Sequence, residues 1–244
     1  MRAKEASAWK REQRAEEASI CLKLAGHNLE SGLLTDVGCG LGYTTRYFSD
    51  LGITAIGVDV SRRNIELAKK ITPSITFILA SGVKLPFADE CSATVILNDV
   101  LEHVPYDLAQ PMLNEIKRIL KADGKLYISV ANKYQIREPH TLIPLLTWLP
   151  KPFWDAISRL VQKSPYQNYY PYTIGRLEKI CREAELDYDN YTWFYAKRKM
   201  SNIDYIGDTT LRELVKTIKK LGLSKLAYII AEKTSVILFI CKKS

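Results

Sequence analysis

No two cysteines in this chain stand in a CxxC pair, and no Cys/His run has a spacing that could hold zinc: Cys21, Cys39, Cys91, Cys181 and Cys241 are scattered singly. That argues against a disulfide framework and a structural metal centre. Internal repeats and low-complexity tracts are also missing. Met1 to Ala18 is mostly Arg, Lys, Glu and Ala, with nothing like the apolar stretch of a signal peptide. No later run reaches membrane-spanning length without charge or proline, so the expected location is the cytoplasm. What is present is 244 residues, 47% of them apolar, which suits one elaborated domain better than two small ones. The formal charge of +8 is uneven, because residues 195–244 carry eleven Lys or Arg against four Asp or Glu. Such a basic end is either a solvated lysine-rich surface or an attractor of phosphate-bearing partners.

Between residues 33 and 130, short apolar runs alternate with helical patterns, which predicts a parallel sheet flanked by helices. Strands are expected near Leu33–Val37, Ile53–Val58, Ile75–Leu79, Thr94–Asn98 and Lys125–Val130. Helices are expected over Tyr43–Leu51, from the N-cap Ser61 to Pro73, and over roughly Leu108–Leu120 before an Asp123-Gly124 turn. Residues 132–172 then turn rich in proline and aromatics, including Trp148, Phe153, Trp154, Tyr166, Tyr169, Tyr170 and Tyr172, and read as an insertion. Thr173 caps a further helix, a strand is expected near Tyr188–Tyr195, and a final amphipathic helix turns Leu211, Leu214, Val215, Ile218 and Leu221 inward. A terminal strand Ser235–Cys241 closes the chain.

The chemistry is concentrated in Leu33-Leu34-Thr35-Asp36-Val37-Gly38-Cys39-Gly40-Leu41-Gly42, an apolar strand running into three alternating glycines and a helix. Glycine lets the backbone turn sharply there and lets a ligand lie against it. The helix start beyond Gly42 offers amide groups to a polar ligand. Seventeen residues after Gly42 the second strand ends at Asp59, whose carboxylate can accept hydrogen bonds from both hydroxyls of a ribose. A nucleoside-cofactor site follows. Dinucleotide enzymes use GxGxxG, whereas these glycines fall as GxGxG, and Asp36 would repel a pyrophosphate while suiting ammonium and sulfonium charge.

These residues resemble the first motif of class I S-adenosylmethionine (AdoMet)-dependent methyltransferases. Gly57-Val58-Asp59-Val60-Ser61 resembles the family's ribose-binding acid, Leu85-Pro86-Phe87 its adenine-side loop, and Asn98-Asp99-Val100-Leu101-Glu102-His103-Val104 its strand-four exit. Leu120 to Leu126 matches the turn into strand five. The resemblance covers about Leu33 to Asn132. It implies an α/β fold, a Rossmann-like doubly wound seven-stranded sheet with an antiparallel last strand and an insertion after strand five. It divides the chain into a helical cap (1–32), an AdoMet-binding core (33–131), a substrate-cap insertion (132–172) and the C-terminal part of the same sheet (173–244). It implies AdoMet as cofactor, with S-adenosylhomocysteine as product, held by Asp36, Gly38, Gly40, Gly42, Asp59, Val60, Ser81, Gly82 and Asn98, the last through its backbone carbonyl. One departure is that Ser81-Gly82 replaces the acid the family often sets against the adenine amino group, so that contact lacks charge assistance.

His103 is the first candidate for a general base or acceptor-orienting group, against helix packing as its alternative. His140, in the insertion, is an acceptor-side candidate, and His27 is expected at the surface. The aromatic insertion suggests a lid over an apolar or flat acceptor, and the helix around Trp9 is expected to close from the other side. The expected activity is methyl transfer to a small or lipid-linked acceptor such as a quinone or polyprenyl-linked glycan. Arg212, Lys216, Lys219 and Lys220 could give peripheral contact with a membrane surface, opposite an apolar stripe that otherwise belongs to the core. The alternatives are an RNA methyltransferase, an NAD-dependent oxidoreductase and a non-catalytic AdoMet-binding partner subunit. Nucleic acid is the weaker acceptor, since the strand-four exit lacks an Asn/Asp-Pro-Pro-aromatic motif.

Overall fold

Strands β1 (Leu33–Val37), β2 (Ala55–Asp59), β3 (Thr76–Leu79), β4 (Ser92–Asn98) and β5 (Leu120–Val130) lie parallel in a computed structural model that describes residues 2–136, 143–162, 169–201, 209–234 and 236–244. Two further strands, β6 (Leu186–Asn190) and β7 (Ile237–Lys243), complete a seven-stranded sheet of order β3-β2-β1-β4-β5-β7-β6. β7 runs antiparallel between β5 and β6. The architecture is the Rossmann-like doubly wound sheet with an antiparallel last strand.

Both faces of the central strands are buried, as expected of a sheet covered by helices on two sides. In β4, Val95 and Leu97 meet Met112, Leu113 and Ile116 of α4 (Tyr106–Ile119) and Leu177 of α6 (Ile174–Glu183) in one cluster. Ile96 points the opposite way, into a cluster with Phe48 of α2 (Tyr43–Asp50) and with Ala18, Cys21 and Leu22 of α1 (Arg2–Leu24). The C-terminal half of α1 is therefore part of the core. α3 (Arg62–Ile71) starts as its sequence suggests, with the Asn64 amide donating to Ser61 Oγ at 3.3 Å. Thr173 Oγ1 likewise caps α6, accepting from the Arg176 amide at 3.2 Å.

Several expectations are corrected. α4 begins at Tyr106, directly after Pro105, which supplies the fixed φ that starts a helix. The Asp123-Gly124 turn is an irregularity inside β5, where the register against β4 jumps from Ser92↔Leu120 to Thr94↔Lys125. The strand expected over Tyr188–Tyr195 stops at Asn190, and α7 (Thr192–Ser201) follows, because Asn190 Oδ1 accepts the Thr192 amide at 2.9 Å and turns the chain. Two helices then form a hairpin where one was expected: α8 (Thr209–Lys220) and α9 (Ser224–Thr234). In α8, Val215 and Ile218 are buried, but Leu221 lies 68% exposed beyond the helix end. The side chains of Leu211, Leu214 and Lys219, like Ser235, lie outside the described residues. His27 is not a free surface residue: it is half-buried, and its Nε2 pairs with Thr94 Oγ1 at 2.7 Å. Burial and the nearby Lys125 charge push its pKa down.

The segment 132–172, which contains α5 (Pro152–Gln162), leaves and returns at one place. The Lys133 amide donates to Tyr172 O at 2.7 Å and the Tyr172 amide to Ala131 O at 2.9 Å. Tyr170 and Tyr172 pack edge-on against Tyr106, whose hydroxyl donates to Pro171 O.

Candidate functional site

A cleft of about 630 Å³ opens at the C-terminal ends of β1, β2 and β4, where the direction of winding reverses. Its size suits a nucleoside-sized ligand with room for a second molecule. Of the residues expected to hold a cofactor, Asp36, Gly38, Gly40, Asp59, Val60, Ser81, Gly82 and Asn98 all line it. Gly42 stands behind the lining as the N-cap of α2, with φ 79° and a hypothetical Cβ only 2.5 Å from Phe77 Cζ. Its task is close packing of the helix on the sheet.

The loop between β1 and α2 spends its amides on the protein itself. Gly38 and Cys39 donate to Val58 O at 2.7 and 2.9 Å, and Gly42 donates to Cys39 O at 2.9 Å. Gly40 donates to Asp59 Oδ2 at 2.8 Å. Asp59 Oδ1 accepts from the Ser61 amide at 2.8 Å and from Asn64 Nδ2 at 3.3 Å. A carboxylate has about four acceptor positions, so roughly one remains for a ligand hydroxyl rather than the two that a ribose diol would use.

Asp36 is buried at the end of β1, and its carboxyl group caps α2. The Thr45 hydroxyl donates to Oδ2 at 2.7 Å, and the Thr45 amide also bonds to it. The helix N-terminus, expected to offer amides to a ligand, is thus already occupied by an acid, which leaves a poor seat for phosphate. Burial pushes the Asp36 pKa up to about 7, against the lowering by the two Thr45 bonds, with the Asp59 charge adding to the rise.

The strand-four exit is more elaborate than its sequence suggests. Asp99 adopts a left-handed φ of 56° that Asp tolerates better than most residues. Its amide donates to Ser129 O and Oγ at 3.0 and 3.1 Å. Its carboxylate pairs with Arg14 on α1, Oδ1 to Nη2 at 2.7 Å and Oδ2 to Nε at 3.2 Å. Asn98 Oδ1 accepts from Ser129 Oγ. Arg14 also stacks over the Tyr195 ring at 5.3 Å, and Arg11, three residues before it, lies over Tyr43 at 5.7 Å. Both arginines line the cleft, and neither belongs to a motif.

His103 ends a short 3₁₀ turn (Leu101–His103) and lines the cleft beside Val104, Pro105 and Leu108. His140 and Tyr166 lie outside the described residues, as does the side chain of Trp9. Among the described residues, none from the insertion lines this cleft; Trp154, Tyr169 and Tyr172 are buried in packing instead.

Glu102 is a group that sequence reasoning passed over. It is 3% exposed, its Oε1 accepts from the Ala131 amide at 3.2 Å, its backbone carbonyl accepts from the Tyr170 amide, and its buried Oε2 finds no hydrogen-bond partner among the described residues. Burial, with the Asp99 charge beside it, pushes its pKa up to about 8. The folded chain then holds a proton that the unfolded chain releases, so this contribution to stability is full below the unfolded value near 4.5 and is lost as pH rises through about 8. Glu102→Gln keeps the acceptor for Ala131 and removes the titration. Urea unfolding should show the variant gaining on wild type by about 4 kcal/mol between about pH 5 and about pH 9. A pH-independent difference would mean that Glu102 is charged in the fold.

Comparison with known proteins adds to this geometry. Residues 35–128 match a family described as "Methyltransferase domain". An uncharacterized methyltransferase from Mycobacterium leprae is 38% identical over 101 residues, covering 40% of this chain and 36% of that protein. A ubiquinone biosynthesis O-methyltransferase from Pelagibacter ubique is 32% identical over 125 residues, covering 48% of this chain and 50% of that protein. The chain thus spans half or less of the length of these relatives. Magnesium protoporphyrin IX methyltransferase from Synechocystis, solved with bound S-adenosylhomocysteine, shares the fold with a TM-score of 0.58 at 17% identity, covering 96% of this chain and 84% of that one.

Proposed function

Residues 35–128 belong to the class I AdoMet-dependent methyltransferases, and from that premise we propose that the chain binds AdoMet in the cleft and methylates a small or lipid-linked acceptor. The observation that carries this reading is the acid-capped glycine loop. Asp36 closes the α2 N-terminus and Asp59 takes the Gly40 amide, so the loop suits a cationic nucleoside and disfavours a pyrophosphate. The same arrangement argues against a nicotinamide dinucleotide.

The residues present fit the cofactor. Asp59 offers its remaining acceptor position to the ribose, and Val60 with Ala80 to Val83 forms the adenine-side wall. Ser81 Oγ receives only a long 3.5 Å contact from the Val83 amide and stays available as an acceptor. Asp36, Gly38, Gly40 and Asn98 surround the place for the methionine portion, and Arg11 supplies a cation for its carboxylate. When bound, AdoMet supplies a methyl group on a sulfonium, open to in-line displacement. The protein's part is to hold the acceptor in line and exclude water. Val100, Val104, Pro105, Leu108 and Met112 give part of the cleft an apolar lining that suits an apolar acceptor, and to His103, which also lines it, this reading assigns the removal of a proton from an acidic acceptor group.

The test is transfer of labelled methyl from AdoMet into quinol, lipid-linked glycan and RNA fractions. Label is expected in an organic-extractable or small-molecule product. Label in RNA alone would replace this reading with the RNA one, and no transfer by a protein that binds AdoMet would favour a partner subunit. For an acceptor that loses a proton, His103→Asn should lower kcat about 100-fold and flatten the acid limb of its pH profile.

A further inference from the structure

The end of the α8–α9 hairpin presents apolar side chains that the fold does not use. Leu221, Leu223, Leu226 and Ile229 expose 45 to 68% of their surface, on and beside a turn made by Gly222 at φ 76°. The turn is tightly specified: the Leu221 amide donates to Thr217 O at 3.0 Å and the Leu223 amide to Ile218 O at 3.1 Å. In this closing motif the residue after the glycine commonly packs back on the helix. Here Leu223 leaves about half of its surface, 49%, exposed. The hairpin is otherwise anchored, with Val215, Ile218 and Ala231 buried against Ala196 and Met200 of α7, and with Lys233 O accepting from Asn132 Nδ2 at 2.9 Å.

Lysines frame this apolar tip. Lys216, Lys220 and Lys225 are all exposed around it, and Glu213, paired with Lys216 at 2.9 Å, sits a turn further back on α8. We propose that the α8–α9 tip docks on a lipid surface carrying anionic headgroups, with the leucines inserted among the acyl chains and the lysines at headgroup level. Charge and shape select this occupant. A nucleic acid would satisfy the lysines but leave four large apolar groups in water. A second copy of the tip would set two lysine frames against each other. A bilayer takes the apolar groups and lets the lysine stems reach anionic headgroups. Among the described residues no helix is long and apolar enough to cross a membrane, so the contact is a surface one. The contact expected through Arg212, Lys216, Lys219 and Lys220 moves accordingly to the hairpin end, while Val215 and Ile218 of the stripe opposite them are buried.

The experiment is flotation of the full chain with vesicles of phosphatidylcholine alone or mixed equally with phosphatidylglycerol. Wild type should float only with the anionic vesicles, less so as salt rises. Removing Lys220 and Lys225 together by Ser should weaken partition by about 20–30-fold, near fivefold for each charge. Leu223→Asp with Leu226→Asp should abolish it, whereas Leu160→Asp, on an exposed face of α5, should leave it unchanged. All these positions lie outside the cleft, so AdoMet binding and circular dichroism report folding independently; if the Asp pair fails to fold, Leu223→Ala with Leu226→Ala replaces it, with a smaller loss expected. The proposal is overturned if wild type floats with neither vesicle, if the tip variants float undiminished, or if they instead convert a dimer to a monomer by light scattering or release bound RNA without changing flotation.

Discussion

Asp59→Ala is expected to weaken AdoMet binding about 100-fold in calorimetric titration while leaving the chain folded. On the proposed reading the carboxylate does two jobs. It holds the glycine loop against α3 through the Gly40 and Ser61 amides, and it keeps one acceptor position for the ligand. Loss of a charge-assisted hydrogen bond to a ribose hydroxyl accounts for about 2–3 kcal/mol, which corresponds to about 30- to 150-fold in affinity. The orphaned amides add a stability cost of about 1–3 kcal/mol, because Asp59 is only 8% exposed and water reaches them poorly. Asp59→Asn separates the two jobs. Its single carbonyl oxygen can serve the Gly40 amide or the Ser61 amide, and its NH2 group must then face the other donor. If Asp59→Ala binds AdoMet within threefold of wild type, the ribose is held elsewhere and the cofactor assignment of the cleft fails.

That site was legible because its signals are local. Three glycines after an apolar strand and an acid at the end of the next one fix backbone conformation and register within thirty or so residues, and all but Gly42 of the expected residues face one cleft. Ser61 and Thr173 were equally readable, since a capping hydroxyl acts on an amide three residues away. What stayed hidden depends on contacts between distant parts of the chain. Arg14 meets Asp99 across 85 positions, and His27 meets Thr94 across 67. No periodicity reports such pairs. α7 was obscured for a different reason: Trp193, Phe194 and Tyr195 favour strands by propensity, and the side chain of Asn190 overrides them by ending β6. The apolar run in α9 lacked a polar face of helical period, because its exposed residues at the hairpin end are themselves apolar.

The glycine loop also permits a test in which geometry alone sets the size of the effect. Gly38→Ala is expected to destabilise the chain by about 2–5 kcal/mol and to lower Tm by about 10 °C. Two costs combine. Gly38 has φ 79°, which an alanine occupies at a cost of about 1–2 kcal/mol. Its new Cβ would stand 2.4 Å from Val100 Cγ2 and 3.0 Å from Val100 Cγ1, so either the loop or the strand-four exit must move. Overpacking of that kind costs about 1–3 kcal/mol. Gly52 separates the terms, since its φ of 83° is as left-handed but nothing lies within 4 Å of its hypothetical Cβ. Gly52→Ala should therefore show the backbone cost alone. In the Val100→Ala background the two nearest atoms are gone and only the Cβ at 3.3 Å remains, so Gly38→Ala should fall most of the way to the Gly52→Ala value there, a coupling of about 1–3 kcal/mol between positions 38 and 100. Val100 lines the cleft beside Asp99 and follows the residue that α1 clamps. A displaced Val100 would disturb the ligand's methionine side and the Arg14 pair together, so the AdoMet affinity of Gly38→Ala should recover in the double variant as well. If Gly38→Ala and Gly52→Ala cost the same, and Val100→Ala rescues nothing, the loop yields freely at Gly38, and close approach to the strand-four exit is not what requires a glycine there.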